Sequence, residues 1–206
     1  MAPDYPIAEA LAEQGWWMQK AFFSKPLTRH LYQEVLALWE SGDFRQAKIG
    51  PAGSALRRSK IRGDLIRWWA PEALSAAQES YGQQMEHLKF LLNRELFLNL
   101  AHWEAHYAVY PPGSHYARHV DRFQDSPERM ISSVCYLNPD WDEQEGGQLR
   151  LFTEEGVVEV LPECGTMVLF RSDIMEHEVV AATRNRFSIA GWFRRRPEAP
   201  VRVIHA

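Results

Sequence analysis

The sequence predicts a mostly β chain with flanking helices: a jelly roll of two packed four-stranded sheets, with N-terminal helices laid on one sheet. Two observations carry this expectation. From residue 99 onward, eight short runs of β-type residues recur with turn residues between them, the spacing of a sandwich or barrel. Before residue 99, apolar residues recur instead at helical spacing in two long stretches. Hydrophobic residues make up 46% of the chain and aromatics 12%, enough apolar surface to close a core around such a sandwich.

In chain order, residues 8–14 read as a short helix and Trp16 to Phe23 as a strand. Pro26 opens a helix carrying Leu27, Leu31, Val35, Leu36 and Leu38, and Gly42 ends it, the usual punctuation of Pro at the start and Gly past the end. Residues 72–94 form a second helical pattern, with Leu74, Ala77, Tyr81, Met85, Leu88 and Leu92 at helical spacing. Between the helices, KIGPAGSALRRSKIRGD reads as a mobile loop leading into a strand, IRGDLIRWW. The eight β-type runs are LNLAHWEAHYAVY, SHYARHV, MISSVCYLN, GQLRLF, VVEVL, GTMVLF, HEVVAA and RFSIAGWF. No linker isolates the helices. Residues 1–206 are therefore expected to be one domain, with 1–98 as helical and strand support plus the loop and 99–196 as the jelly-roll core.

Lys and Arg number 23 against 27 Asp and Glu, for a net charge of -4, which argues against a nucleic-acid footprint. The basic clusters Arg57, Arg58, Lys60, Arg62 and Arg194, Arg195, Arg196 read as local solvated patches. Cys135 lies in an apolar run and Cys164 in a PECG turn, neither in a CxxC pair; they read as free thiols of a reducing compartment. The N-terminus has no basic segment followed by an apolar stretch, and no run approaches the roughly 18 apolar residues of a membrane span. The expectation is a cytoplasmic protein with no membrane or nucleic-acid partner.

Four residues carry the chemistry. His119 and Asp121 sit two apart in HYARHVD, His177 follows in IMEHEVV, and Arg186 comes nine residues later at the start of RFSIAGWF. Alternate strand residues share a face, so His119 and Asp121 enter one barrel mouth, with His177 reaching it from a facing strand. Two imidazoles and a carboxylate form the facial triad of non-haem Fe(II) oxygenases, with coordination positions left open. An arginine facing the same pocket suits the far carboxylate of a keto-acid co-substrate. Together they imply an Fe(II)- and 2-oxoglutarate-dependent oxygenase that consumes O2. His115 and His106 are rival ligands by proximity, and Arg184 is an alternative anchor on the parity of Arg186. Tyr136, Tyr110 and Tyr116 are candidates to line the pocket. The turn at Gly146 and Gly147 sets Leu149 against the co-substrate, and Trp192 closes the pocket floor or simply fills core.

HYARHVD, CYLNPDWDEQEGGQLRLF, HEVVAATRNRFSIAGWF and the upstream IRGDLIRWW resemble the prolyl hydroxylases that act on hypoxia-inducible factor, over roughly residues 10–196. The triad and arginine are shared by the whole oxygenase superfamily; the YLN-DWD-GG-LR string and IRGD-IRW are narrower. The compact chain is similar to bacterial members, of the kind that hydroxylates a proline in elongation factor Tu. The resemblance implies the double-stranded β-helix form of jelly roll. It makes His119, Asp121 and His177 iron ligands and makes Arg186 and Tyr136 the binders of the distal 2-oxoglutarate carboxylate. Tyr110 and Leu149 become pocket-lining, Trp192 sits near the substrate proline, and Asp64 helps hold the mobile loop closed. PPGSH replaces a longer glycine-rich loop of the animal enzymes, and the loop from Lys48 to Lys60 is this chain's own.

The expected reaction is decarboxylation of 2-oxoglutarate to succinate, coupled to 4-hydroxylation of a proline in a protein substrate, with ascorbate as reductant and the protein a monomer. The segment from Ile49 to Lys60, rich in Gly, Ala and Ser, is expected to close over that proline, with Arg57 and Arg58 contacting the partner. Two alternatives stand beside this: a hydroxylase of another side chain or a small molecule on the same scaffold, and a non-enzymatic jelly-roll metal-binding module.

Overall fold

The computed structural model describes residues 7–47, 61–122 and 127–196. The loop expected to act as a lid, including Arg57 and Arg58, lies outside the described residues. The elements in order are α1 (Ile7–Glu13), β1 (Trp16–Gln19), α2 (Lys25–Glu40), β2 (Arg45–Gln46), β3 (Leu65–Trp68), α3 (Ala76–Leu96), β4 (Leu100–Tyr110), β5 (Tyr116–His119), β6 (Arg129–Tyr136), β7 (Leu149–Thr153), β8 (Gly156–Val160), β9 (Met167–Arg171), β10 (Glu176–Val179) and β11 (Arg186–Arg195).

The eight β-type runs all form strands and divide four and four. The minor sheet has the order β5-β10-β7-β8, and β9, β6, β11 and β4 lie side by side in the major sheet. The expected four-stranded major sheet is, however, seven strands wide. β1 pairs with β9 on one edge, while β3 and then β2 extend it beyond β4 on the other, every ladder antiparallel. Sequence periodicity shows that a segment is extended but not that it adds to a sheet whose strands come so much later in the chain.

The major sheet is buried on both faces, which is why its strands read as nearly continuous apolar runs. Ala105, Tyr107 and Val109 of β4, Met167 and Leu169 of β9, and Phe187, Ile189 and Phe193 of β11 pack with the helices. The alternate residues Ala108 and Tyr110, Val168 and Phe170 look into the space between the sheets, where Leu149, Leu151 and Val179 of the minor sheet meet them. The helical side is anchored by Leu31 and Val35 of α2 and Tyr81, Met85 and Leu92 of α3, all essentially inaccessible. Each such side chain contributes about 1.5–3 kcal/mol by leaving water, and Leu31→Ala should cost about 2–5 kcal/mol through the cavity it leaves.

Local chemistry sets the helix ends. Ser24 caps α2 and Pro26 sits in its first turn. The helix expected from residue 72 begins at Ala76, because Ser75 and Gln78 form a reciprocal capping box that fixes the first turn there. Strand β1 stops at Gln19 instead of reaching Phe23; the chain turns at Ala21 (φ 51°) and Phe22 N–H then bonds Gly165 O at 3.0 Å. A half-buried polar knot ties both helices to the sheet. Glu34 accepts from Ser75 Oγ at 2.5 Å, from Tyr107 Oη at 3.0 Å and from Gln78 Nε2. Cys135 and Cys164 are free thiols, as expected.

Candidate active site

His119, the last residue of β5, pairs in register with His177 of β10. Their ring centroids are 4.2 Å apart. Each ring is turned by its own backbone: Nδ1 of His119 lies 2.8 Å from Ala117 O, and Nδ1 of His177 lies 3.0 Å from Met175 O. A carbonyl can only accept, so Nδ1 carries the proton in both and Nε2 is left as a lone pair. Both Nε2 atoms face Oδ1 of Asp121, at 3.6 and 3.8 Å. The three ligand atoms lie within 4.8 Å of one another, the only such group of His, Cys, Asp and Glu among the described residues.

Asp121 does not reach this point by strand pleat, contrary to expectation. β5 ends at His119 and Asp121 occupies the bend beyond. Its position is set by tertiary hydrogen bonds. Oδ2 accepts from Ser132 Oγ at 2.7 Å and from Trp192 Nε1 at 3.1 Å, leaving Oδ1 toward the histidines. Ser172 Oγ in turn lies 2.8 Å from Ser132 Oγ. Burial alone would raise the Asp121 carboxyl; His177, His119 and the Ser132 hydroxyl outweigh it and hold the group well below the usual carboxylate range. Burial, only partly offset by Asp121, brings His177 down to about 4, so near neutral pH its Nε2 is free to bind a cation. Two neutral imidazoles and one ionised carboxylate suit a divalent transition metal with open positions, and the hydrogen bonds behind them fix ring and carboxylate orientation.

Arg186 opens β11 opposite Tyr110 at the end of β4. It is 2% exposed, and no carboxylate among the described residues pairs with it. Its Nε donates to Gly147 O at 2.8 Å, and its guanidinium lies 5.1 Å from the Tyr110 ring centre and 4.9 Å from that of Tyr136. The Tyr136 hydroxyl is buried with no hydrogen-bond partner among the described residues, and burial pushes its phenol up to about 12 against the pull of Arg186. A buried cation and a buried hydroxyl, both short of partners, cost several kcal/mol unless an anion joins them. The donors fit one end of a dicarboxylate such as 2-oxoglutarate, while the triad offers metal positions to the other. Leu149, 2% exposed, lines the same cavity beside Arg186 and His177. Gly147 (φ 74°) explains why the turn is glycine: a Cβ there would sit 3.0 Å from Ala182 and Trp141 and 3.2 Å from the Arg186 side chain.

The cavity is also lined by Arg62, Asp64, His106, Arg129 and Trp192. Asp64 is 1% exposed and takes both bonds of a bidentate pair from Arg62, at 2.5 and 2.8 Å; the loop it was expected to hold is outside the described residues. Arg62 also lies over Tyr116, whose ring stacks on His119 at 3.6 Å. Trp192 carries the Asp121 carboxylate on one side and the Arg129 guanidinium, 3.6 Å from its ring centre, on the other.

The rivals fall away on geometry. His115 precedes β5 and stands outside the ligand cluster, and His106 lines the cavity without joining it. Arg184 is spent in the turn, paired with Glu145 at 2.7 Å and donating to Pro139 O and Asp140 O. Sequence reading missed Ser132, Ser172, Arg62 and the Gly147 carbonyl. The signal for Ser132 was present: a hydroxyl at an inward position of an apolar strand must find a partner.

Comparison with known proteins agrees with this geometry. The family model for the 2OG-Fe(II) oxygenase superfamily matches residues 105–194. The chain is 29% identical to Egl nine homolog 1 of Homo sapiens, over 91% of this chain and 45% of that protein. It is 27% identical to the hypoxia-inducible factor prolyl hydroxylase of Caenorhabditis elegans, over 93% of this chain and 28% of that protein. The chain thus spans about half or less of the length of these curated relatives. Among solved structures, a Pseudomonas putida prolyl-4-hydroxylase superposes with a TM-score of 0.85 at 39% identity, covering 93% of this chain and 98% of that one. A Trichoplax adhaerens prolyl hydroxylase, in complex with a hypoxia inducible factor oxygen degradation domain peptide fragment, superposes at 0.80 with 28% identity, covering 91% and 87%.

Proposed function

We propose that this chain, which belongs to the 2OG-Fe(II) oxygenase superfamily, is a protein prolyl 4-hydroxylase. The observation that carries the reading is the unpaired Arg186 and Tyr136 hydroxyl buried behind a His-Asp-His cluster. A structural metal site has no use for such a cation, and the 39% identity with the Pseudomonas enzyme over nearly all of both chains favours proline as the target. His119, Asp121 and His177 hold the iron; Arg186 and Tyr136 take the distal carboxylate of 2-oxoglutarate, with Tyr110 and Leu149 packed along it. When bound, iron with 2-oxoglutarate and O2 supplies the oxidation of an unactivated C–H bond, releasing succinate and CO2.

The chain's own residues supply position and dryness. Ser132 and Trp192 aim one oxygen of Asp121 at the metal position. The apolar walls formed by Leu149, Phe170 and Val179 keep water from the cavity between the sheets. Trp192, at the far end from Arg186, contacts the proline side, and Arg57 and Arg58 belong to the loop proposed to close over the partner. We further assign elongation factor Tu as the protein substrate on the bacterial resemblance, the cytoplasm as the compartment on the two free thiols, ascorbate as the reductant and a monomer as the working state. Purified protein with Fe(II), 2-oxoglutarate and elongation factor Tu should release succinate and add 16 Da to one proline, read by mass spectrometry. Succinate release with no prolyl product in any protein would overturn the prolyl assignment, and no succinate at all would overturn the oxygenase.

A further inference from the structure

One buried titratable side chain lining the cavity has no part in the mechanism above. His106 on β4 is 1% exposed, and its Nδ1 has no hydrogen-bond partner among the described residues. Its ring packs against both Trp68 and Trp192, with centroids 4.8 and 5.4 Å away, and those two rings are 6.1 Å from each other. Trp68 is 47% exposed and Trp192 only 7%, so His106 stands where the surface gives way to the metal cluster. Burial and the Arg62 cation bring it down to about 3, so it is a neutral ring at any working pH. A neutral imidazole has one N–H and one lone pair, and leaving one of them, here at Nδ1, buried without a partner costs about 1–3 kcal/mol.

The strand register says which ligand can reach it. Arg186 faces Tyr110 across the β11–β4 ladder, and Ala190 faces His106. Four residues of strand separate Tyr110 from His106, about 13 Å at 3.3 Å per residue. The five-carbon chain of 2-oxoglutarate spans only about 6 Å at roughly 1.5 Å per bond. Anchored at Arg186, the co-substrate ends short of His106, and what the imidazole meets is the primary substrate. A prolyl residue brings no N–H of its own; it and the residue before it present carbonyl oxygens. The neighbouring Arg62 is committed to Asp64 and Arg129 to the face of Trp192. The Nε of Arg129 likewise has no partner among the described residues, so two donors stand at this point, the Arg129 cation and the uncharged His106 ring.

We propose that His106 is a substrate-positioning residue that donates a ring N–H to a main-chain carbonyl flanking the target proline, and so fixes which C–H faces the metal. The inference rests on the prolyl hydroxylase reading, and the experiment separates the two. A peptide that the wild-type enzyme hydroxylates is first identified among the proline-containing segments of elongation factor Tu. If no prolyl peptide from it or any other protein is turned over, the reading falls and His106's role falls with it. With that peptide in hand, its Kd is measured by calorimetry on protein loaded with Zn(II) and 2-oxoglutarate, which binds without turnover. His106→Leu, which keeps volume but removes the donor, should weaken the peptide at least tenfold. His106→Asn, which restores an N–H donor, should recover to within threefold of wild type. Both should bind Zn(II) and 2-oxoglutarate within twofold of wild type. A His106→Leu peptide Kd within twofold, or equal losses in the Leu and Asn variants, would overturn the proposal. So would loss of Zn(II) binding, which would make His106 a prop for Trp192 and Asp121 instead.

Discussion

Replacing Arg186 by methionine separates what the arginine costs the fold from what it gives the site. In the protein without ligand the guanidinium is buried with one hydrogen bond, to Gly147 O, and two flanking tyrosine rings. The lost hydrogen bond strands a buried carbonyl at about 1–3 kcal/mol, and a desolvated cation–π contact adds about 2 kcal/mol or more. Against this stands relief from burying an unpaired charge, several kcal/mol in a protein interior. These terms nearly cancel, so Arg186→Met should leave the ligand-free stability within about 2 kcal/mol of wild type, unusually mild for a 2% exposed position. The ligand response should differ completely. With metal bound and 2-oxoglutarate at 100 times its Kd, linkage stabilises wild type by about 2.7 kcal/mol. For a chain of this length that is a rise in Tm of about 5–11 °C at 2–4 °C per kcal/mol. Thermal denaturation under nitrogen with Mn(II) should show that rise in wild type and none in Arg186→Met. An equal rise in both would refute the assignment of the co-substrate anchor, and a loss of Mn(II) binding in the variant would show that Arg186 supports the metal cluster instead.

Three further outcomes follow from the same geometry. Asp121→Ala should abolish metal binding and turnover together, read by metal titration; a variant that still binds one Fe(II) would mean that another group completes the cluster. Ser132→Ala and Trp192→Phe each remove one hydrogen bond that aims the Asp121 carboxylate, and each should weaken metal binding by about 10–100-fold, with additive losses counting against a shared carboxylate. His106 titrates near 3 in the folded protein against 6.5 unfolded, so the unfolded chain binds the extra proton between those values and stability is lost as pH falls below 6.5. From pH 7 to pH 4 that loss is about 3 kcal/mol, and His106→Leu should lack it, so the stability gap between the two proteins in urea melts should shift by that amount toward the variant.

The parts of this site that were legible in the sequence are those where a residue conflicts with its local pattern. Arg186 heads the apolar run RFSIAGWF and continues the inward series Ser188, Ala190, Trp192, so a cation had to enter the sandwich, and only a bound anion makes that tolerable. His119 and His177 were expected to enter one mouth from two strands, and the structure makes them register partners on the adjacent strands β5 and β10. Asp121 joins the cluster by a different route from the one expected: its strand ends two residues early, and hydrogen bonds from residues 11 and 71 positions away place it. Long-range contacts of that kind leave no periodic trace. The same limit hid the widening of the major sheet, because β1 finds β9 across some 150 residues. What does leave a trace is the polar residue on an inward face. Ser188 and His106 alternate with apolar neighbours, and Ser132 follows Ile131, on strands whose two faces are buried. Each carries a desolvation penalty that packing cannot repay. Ser132 recovers it by orienting a ligand of the metal cluster. The Nδ1 of His106 has no such partner among the described residues, and we assign that partner to the substrate.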